Sequence, residues 1–418
     1  MKAAIIGASK EALHTIEKAH EYGLKVIALD GNPQAAGLNV ADKAIVVDIS
    51  DENLVIETLE GERPDFLLTV PIGRYLTTTG AVNDALKLPG ISREMAVLCT
   101  DKLAFHKRLH EAGLRQCKCY EWDGRKVKEA SGKGVWEKDD FLQEKRISFP
   151  AILKPRHGSG SRGIHMVFDR EHLEKAFREV ADEPYVLEEC VDGEEYGVDG
   201  AVTRDGFWMV LLRKKENTPP PVRQAVGYFS VSPLDEFWGQ VNEYMEKTVK
   251  CLGLRECLLH ADIIKSKEGP FAIELSARPS GHNLHNLFTS LCTGVDMAGE
   301  YIKYRMGLSY SFMPRATKAM MIHYFDLQGR VGYVPFKEQV EKVLNTRLVA
   351  WQCNIEVGDE LKGVSDGHSL MGRGYFILED GSGSSRREDF CREDFFREDF
   401  HREEFLREEG ERVKKLFG

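Results

Sequence analysis

The chain has 418 residues, of which 42% are hydrophobic and 30% charged, with a formal net charge of −10. Its length is beyond one compact core, so two or three domains are expected, and its acidity excludes a general nucleic-acid binder, which needs a basic face. The 9 cysteines follow neither a zinc-site spacing nor a disulfide framework, which points to a reducing cytosol, and no segment reads as a signal peptide or a membrane span.

Residues 2 to about 90 alternate two patterns. The runs "KAAIIG", "KVIALD", "AIVVD" and "DFLLTV" are short and apolar, and "EALHTIEKAHEYG" and "ENLVIETLE" have helical period. This βαβ series predicts a doubly wound parallel sheet over residues 1–100. Such sheets bind ligands at the carboxyl ends of their strands, which here carry "GASKE", "DGNP" and "PIGR". The first turn, Gly7 to Glu11, lacks the second and third glycines of a dinucleotide fingerprint, so a plain strand-to-helix turn is expected. Arg74 in "PIGR" is a candidate for a substrate carboxylate or for a structural ion pair.

A second unit, residues 101–190, opens with the helix "TDKLAFHKRLHEAGL", capped by Thr100 or Asp101. "KVKEASGKGVWEKDD" reads as a charged surface connection. "FPAILKPRHGSGSRGI" then begins as a buried strand, places Lys154 at its end and continues into a loop almost without side chains. The helix "REHLEKAFREV" and the strand "PYVLEEC" follow. Residues 191–310 hold four strands of antiparallel character and the long amphipathic helix "LDEFWGQVNEYMEKTVKCLGL", and residues 311–383 form a small strand-rich lobe. The tail, 384–418, repeats every five residues as "REDF"-type units. Its acid-to-Arg spacings support a solvated helix, whereas its Phe positions keep to no single helical face, so it is expected to project from the last lobe or to serve as an oligomer contact.

A Gly/Ser loop offers backbone N–H groups that form a concave anion site, and a lysine beside it adds a point charge for phosphate. The pair suggests a nucleoside triphosphate under a glycine-rich flap. It is not a Walker loop, because Lys154 precedes the glycines. A hairpin turn beside a snorkelling lysine is the plainer reading of the same residues.

Five motifs in order resemble the ATP-grasp superfamily: "TDK", "FPAILKP", "HGSGSRGI", "YVLEECVDGEEYGVDG" and "HADIIKSKEGPFAIELSARPSG". The resemblance runs over roughly residues 1–380 and implies an N-terminal parallel α/β domain followed by a two-lobed nucleotide-binding fold, α/β and α+β in class. It implies that Lys102 and Lys154 bind ATP phosphates, with Ser161 as the hydroxyl contact of the covering loop. Glu188, Glu189 and Val191 would meet the purine, largely through backbone groups, and Glu195 the ribose. Asp262 and Glu274 would bind magnesium, with manganese as an alternative ion. The family's usual third metal ligand is Asn, and Ser276 stands there instead, which puts a second ion in doubt. Arg278 follows on the expected strand face of Glu274 and Ser276, as in carboxylate–amine ligases, where an Arg fork suits a carboxylate or acyl phosphate. Lys215, with Lys214 as its neighbour, is a further phosphate contact. These positions imply an ADP-forming ligase joining a small carboxylate to an amine, with bicarbonate or formate activation, or nucleotide binding with little turnover, as alternatives. No nucleic-acid or membrane partner is implied, and a homodimer is left open.

Overall fold

A computed structural model describes the chain apart from residues 145, 159–161, 181–182, 221, 366, 382–391 and 418, and apart from the side chains of Arg74, His368 and 392–400. The first domain is a parallel sheet of β1 (Lys2–Ile6), β2 (Lys25–Asp30), β3 (Lys43–Val46) and β4 (Phe66–Leu67) in the order β3-β2-β1-β4. Its strands are continuous apolar runs because both faces are covered. Ala3, Ile5 and Val26 pack on the helix Leu13–Glu21 through Ile16 and Ala19, while Ala4, Ile6 and Ile27 pack against Val55, Leu59 and Val82 on the other face. The turn after β1 needs its glycine: Gly7 has φ +91°, and a Cβ there would lie 2.4 Å from Ile72 Cγ2. That close approach draws the end of β1 against the 70–73 loop.

The second unit is an antiparallel sheet of β5 (Cys119–Trp122), β6 (Lys126–Glu129), β7 (Val135–Glu137), β8 (Ala151–Pro155), β9 (His165–Val167) and β10 (Tyr185–Glu189), ordered β7-β6-β5-β10-β8-β9. The segment expected as a charged connection, "KVKEASGKGVWEKDD", therefore forms two strands and the start of a helix. The alternation of β6 has a single apolar member: Val127 is fully buried between Lys126 and Lys128, and one inward side chain among charges does not register as a strand pattern.

The third sheet has eight strands, in the order β15-β14-β11-β12-β13-β16-β20-β18. They are β11 (Glu194–Thr203), β12 (Gly206–Asn217), β13 (Ala225–Ser230), β14 (Cys257–Ser266), β15 (Gly269–Ser276), β16 (Met320–Tyr324), β18 (Arg347–Cys353) and β20 (Gly374–Glu379), with β17 (Gly329–Arg330) and β19 (Glu360–Leu361) pairing separately. Strands from beyond residue 316 thus extend the sheet of 194–276 and carry a core of their own around Phe325 and Phe376. The first domain is seated on this sheet through one apolar cluster, in which Ile5 and Ile16 share contacts with Ala201, Leu258, Met297 and Tyr301.

The tail departs from the solvated helix expected of it. The helix Arg392–Lys414 packs against the C-terminal lobe, burying Leu406, Val413 and Phe417 with Phe325 and Phe376. The buried stripe is Leu406, Glu409, Gly410, Val413 and Phe417, which has helical period although the Phe residues of the repeat do not. Glu409 is fully buried and accepts from the backbone N–H of Asn345 at 2.5 Å and of Thr346 at 3.2 Å. At Gly410 a Cβ would lie 2.8 Å from Met321 Cε, so the glycine permits the helix to sit close to β16. Phe417→Ala is expected to lower unfolding stability by about 3 kcal/mol, read as a shift in the urea midpoint. An unchanged midpoint would show that the helix is not part of this core.

Candidate active site

Two lysines meet because a helix start and a strand end are tied together. Asp101 caps the helix Lys102–Glu111, its Oδ1 accepting from Leu103 N at 3.0 Å and Ala104 N at 3.2 Å. The same carboxylate takes Arg156 Nε at 2.9 Å and Nη2 at 2.6 Å, and Lys102 N–H donates to Arg156 O at 3.1 Å. Arg156 lies two residues beyond Lys154, the residue that closes β8 with Pro155, so Lys102 and Lys154 are brought to one place. Burial depresses the Lys102 pKa and the Lys154 charge adds to this, against Glu274 and Glu188. Lys102 Nζ donates to Gly158 O at 2.8 Å, at the start of the Gly/Ser loop. Ser161 lies outside the described residues.

Lys154 is buried, and its Nζ lies 2.7 Å from Glu188 Oε2, which also takes Arg115 Nη2 at 2.8 Å. Arg115 Nη1 donates to the carbonyls of Ala272 and Ile273 on β15. Burial alone would raise the Glu188 pKa, but Arg115 and Lys154 hold it at about 2. The Glu188 carboxylate is thus committed to two cations, leaving backbone groups of this strand for a base. His106, Cys119 and Glu188 come close enough to suggest a metal triad, yet His106 Nδ1 already accepts Arg115 Nε at 3.0 Å, and the carboxylate whose Oε1 faces His106 and Cys119 is neutralised through Oε2 by Arg115 and Lys154. Beyond it, Glu189 accepts Lys118 N–H at 2.9 Å, Val191 is half-buried, and Glu195 is paired with Arg223 at 2.6 Å.

The carboxylates expected to hold metal face each other. Asp262 on β14 is the direct cross-strand partner of Glu274 on β15, and the register slips immediately after Asp262, a bulge that re-aims side chains. Lys215, on β12, places Nζ 2.6 Å from Asp262 Oδ2. Burial opposes charge on both, and the pair overrides it, raising Lys215 and lowering Asp262. Lys214 points to the other face of β12 and pairs with Glu194 and Glu403 at 2.6 and 3.1 Å. Glu274, Ser276 and Arg278 line one pocket with Lys102, Gly158, Thr100 and Gly73. The pocket therefore joins Lys102, the start of the Gly/Ser loop, Glu274 and Arg278, and includes Gly73 of the first domain.

Three further groups were not legible. His260 sits two residues before Asp262 and opposite Ser276, so it shares their face. Burial and then Arg278 push its pKa down to about 4, which makes it an uncharged hydrogen-bonding group. Its signal was only the i−2 spacing in "HAD". Arg115 sat in an unpatterned turn. Asp199, fully buried on β11, accepts from Arg213 at 3.2 Å, Ser280 Oγ at 2.7 Å and Thr289 Oγ1 at 2.6 Å, anchoring the segment that follows Arg278. His282 and His285, close in sequence, serve separate ends: His285 Nδ1 meets Ser280 O, and the backbone N–H of His282 donates to Glu11.

The buried histidines set an acid limit. His106 is pushed down to about 3 by burial and then Arg115, and His260 and His285 to about 4, from an ordinary value of 6.5. Each folded pKa lies below the unfolded one, so the unfolded chain binds more protons and stability rises with pH across that interval. Their contribution is complete above pH 6.5 and is lost as pH falls toward about 4, with Glu188 adding its loss between 4.5 and about 2. The thermal midpoint should fall steadily from neutral pH to pH near 4.5, and a flat profile there would contradict neutral buried imidazoles.

Comparison with known proteins agrees with this geometry. Residues 147–285 match the family model described as ATP-grasp domain. The chain is 22% identical over 288 residues to the carbamoyl phosphate synthase large chain of Clostridium beijerinckii, a match covering 64% of this chain and 25% of that one. It thus spans about a quarter of the length of the curated relatives it matches. Its structure is similar to L-amino acid ligase from Bacillus licheniformis, with TM-score 0.71 and 20% identity over 96% of this chain and 97% of that chain. It is also similar to N5-carboxyaminoimidazole synthetase from Staphylococcus aureus complexed with ADP, with TM-score 0.69 and 13% identity over 96% of each. Among the described residues no helix is long and apolar enough to cross a membrane. The chain has the ATP-grasp fold.

Proposed function

We propose that this chain is an ATP-dependent carboxylate–amine ligase that forms an amide or peptide bond through an acyl phosphate and releases ADP and phosphate. The observation that carries the reading is the single pocket in which Lys102 and the loop at Gly158 meet Glu274, Ser276 and Arg278. Phosphate-binding groups and a carboxylate-binding guanidinium share that space, as the reaction requires.

Asp262 and Glu274 fit a hard divalent cation, because two carboxylates face each other across one strand pair with Ser276 beside them. They would hold magnesium, or manganese in its place, which when bound supplies charge neutralisation for the phosphates of ATP. Lys102 and Lys154 hold the phosphates from the small lobe. Lys215 is kept charged by Asp262 and stands on the same side as the acidic pair. Arg278 orients the substrate carboxylate so that one oxygen attacks the γ-phosphorus while the bond to ADP breaks. The Gly/Ser loop excludes water, which would otherwise hydrolyse the acyl phosphate. An amine then attacks the acyl carbon, phosphate leaves, and the amine loses a proton. Catalysis is mainly positioning and charge stabilisation.

Glu274→Gln should abolish ADP formation while leaving the thermal midpoint and the circular dichroism unchanged. Arg278→Lys keeps the charge and loses the planar fork, so it should bind ATP normally and lose most ligation. Chromatography of the nucleotide product decides the class. AMP instead of ADP, or ADP formed with bicarbonate as the sole acid, would overturn the reading.

A further inference from the structure

Glu11 belongs to the first domain, in the turn after β1, yet it meets the segment that follows Arg278, a residue of the pocket of the third sheet. Its Oε1 accepts the backbone N–H of His282 at 3.0 Å. Its Oε2 is buried and has no hydrogen-bond partner among the described residues. The two segments are in contact here: a Cβ at Gly281 would lie 3.8 Å from Glu11 Cδ and 3.6 Å from Pro71 Cβ. Three residues before Gly281, Arg278 donates Nη1 to Pro279 O at 2.9 Å and leaves Nε buried without a hydrogen-bond partner among the described residues. Arg278 and Glu11 act on each other electrostatically, but among the described residues they form no salt bridge.

The guanidinium that lines the pocket, with a spare N–H, therefore has near it a carboxylate with a spare oxygen. A staple between domains would need only the Glu11–His282 bond, and burying the second oxygen without a donor is unfavourable. A ligand carrying an anion and a cation on adjacent carbons satisfies both groups at once. We propose that Glu11 is a specificity-determining residue that holds the ammonium group of an α-amino acid whose carboxylate lies against Arg278. This rests on the ligase reading and adds to it the recognition of the acid by the first domain. Burial raises the Glu11 pKa by more than the His282 amide and Arg278 lower it, and a bound ammonium would act against burial to favour the ionised form. Acids without the amino group leave Oε2 unpaired and are rejected, because a site built around a polar contact discriminates strongly against its absence.

The test uses hydroxylamine in large excess as the nucleophile, so that hydroxamate reports activation of the amino acid as the acid whether or not its own amine also reacts. Proteinogenic amino acids are compared with their deaminated counterparts, for example alanine with propionate. Wild type should activate at least one amino acid and not its counterpart. Glu11→Gln keeps an acceptor for the His282 N–H and removes only the charge. It should raise the KM for the amino acid roughly 10- to 100-fold while the KM for ATP and the thermal midpoint stay unchanged, and Glu11→Asp should recover part of the loss. Unchanged amino-acid KM in Glu11→Gln, or equal wild-type use of the deaminated acid, overturns the Glu11 assignment and leaves the ligase reading standing. No hydroxamate from any acid, or ADP with bicarbonate alone, overturns the ligase reading and this assignment with it.

Discussion

The site depends on one buried carboxylate shared by two cations. Glu188 joins Lys154 of β8 to Arg115, and Arg115 in turn grips the carbonyls of β15, the strand that carries Glu274. The lysine side and the acidic side are thereby held in one frame. A buried ion pair is weak evidence of stability, because desolvation offsets most of the Coulomb gain. Its consequence here is positional and electrostatic. Two positive charges against one negative leave the cluster with an excess of positive charge, and Lys102 adds a third cation beside it. A polyphosphate is the kind of ligand that such an excess accommodates, so under the proposed function the cluster that fixes the lobes would also receive ATP.

The acidic side is built on the opposite principle. Asp262 and Glu274 are cross-strand partners, and like charges placed opposite each other repel. Lys215 relieves one of them at 2.6 Å, and Lys102 and Arg278 act on the other from a distance. The balance is incomplete by design of the strand alternation: His260 and Ser276, the next pair on this face, bring no charge of their own.

Much of this was legible in the chain. A strand ending in Lys154, a loop of Gly and Ser, and acids at Asp262 and Glu274 on apolar strands are local patterns, and local patterns survive in sequence. Period 2 and the turn residues were enough to place them. Glu188 shows the limit. Its position in a buried strand was readable, but the destination of its carboxylate was set by Arg115, 73 residues earlier in an unpatterned turn. Glu409 shows the same limit in the tail: its partners are Asn345 and Thr346, 64 and 63 residues away. The pentad repeat also concealed the docking stripe, because the stripe uses Leu406, Gly410, Val413 and Phe417 and not the repeated Phe.

Strand β12 connects the two parts of the molecule that looked most separate. Alternation sends Lys215 to the acidic pair and sends Lys214 and Glu216 to the opposite face. On that face Lys214 meets Glu403, and Glu216 meets Arg407 at 3.0 Å, both from the C-terminal helix. The guanidinium of Arg407 also lies 5.4 Å from the centre of the Phe229 ring on β13. The charged tail therefore holds the back of the strand whose front presents Lys215 to Asp262. Exposed ion pairs contribute little one by one, but here they accompany a buried apolar stripe, and the stripe fixes where they fall. The repeat that seemed extraneous to the fold is, at its C-terminal end, a support for the site.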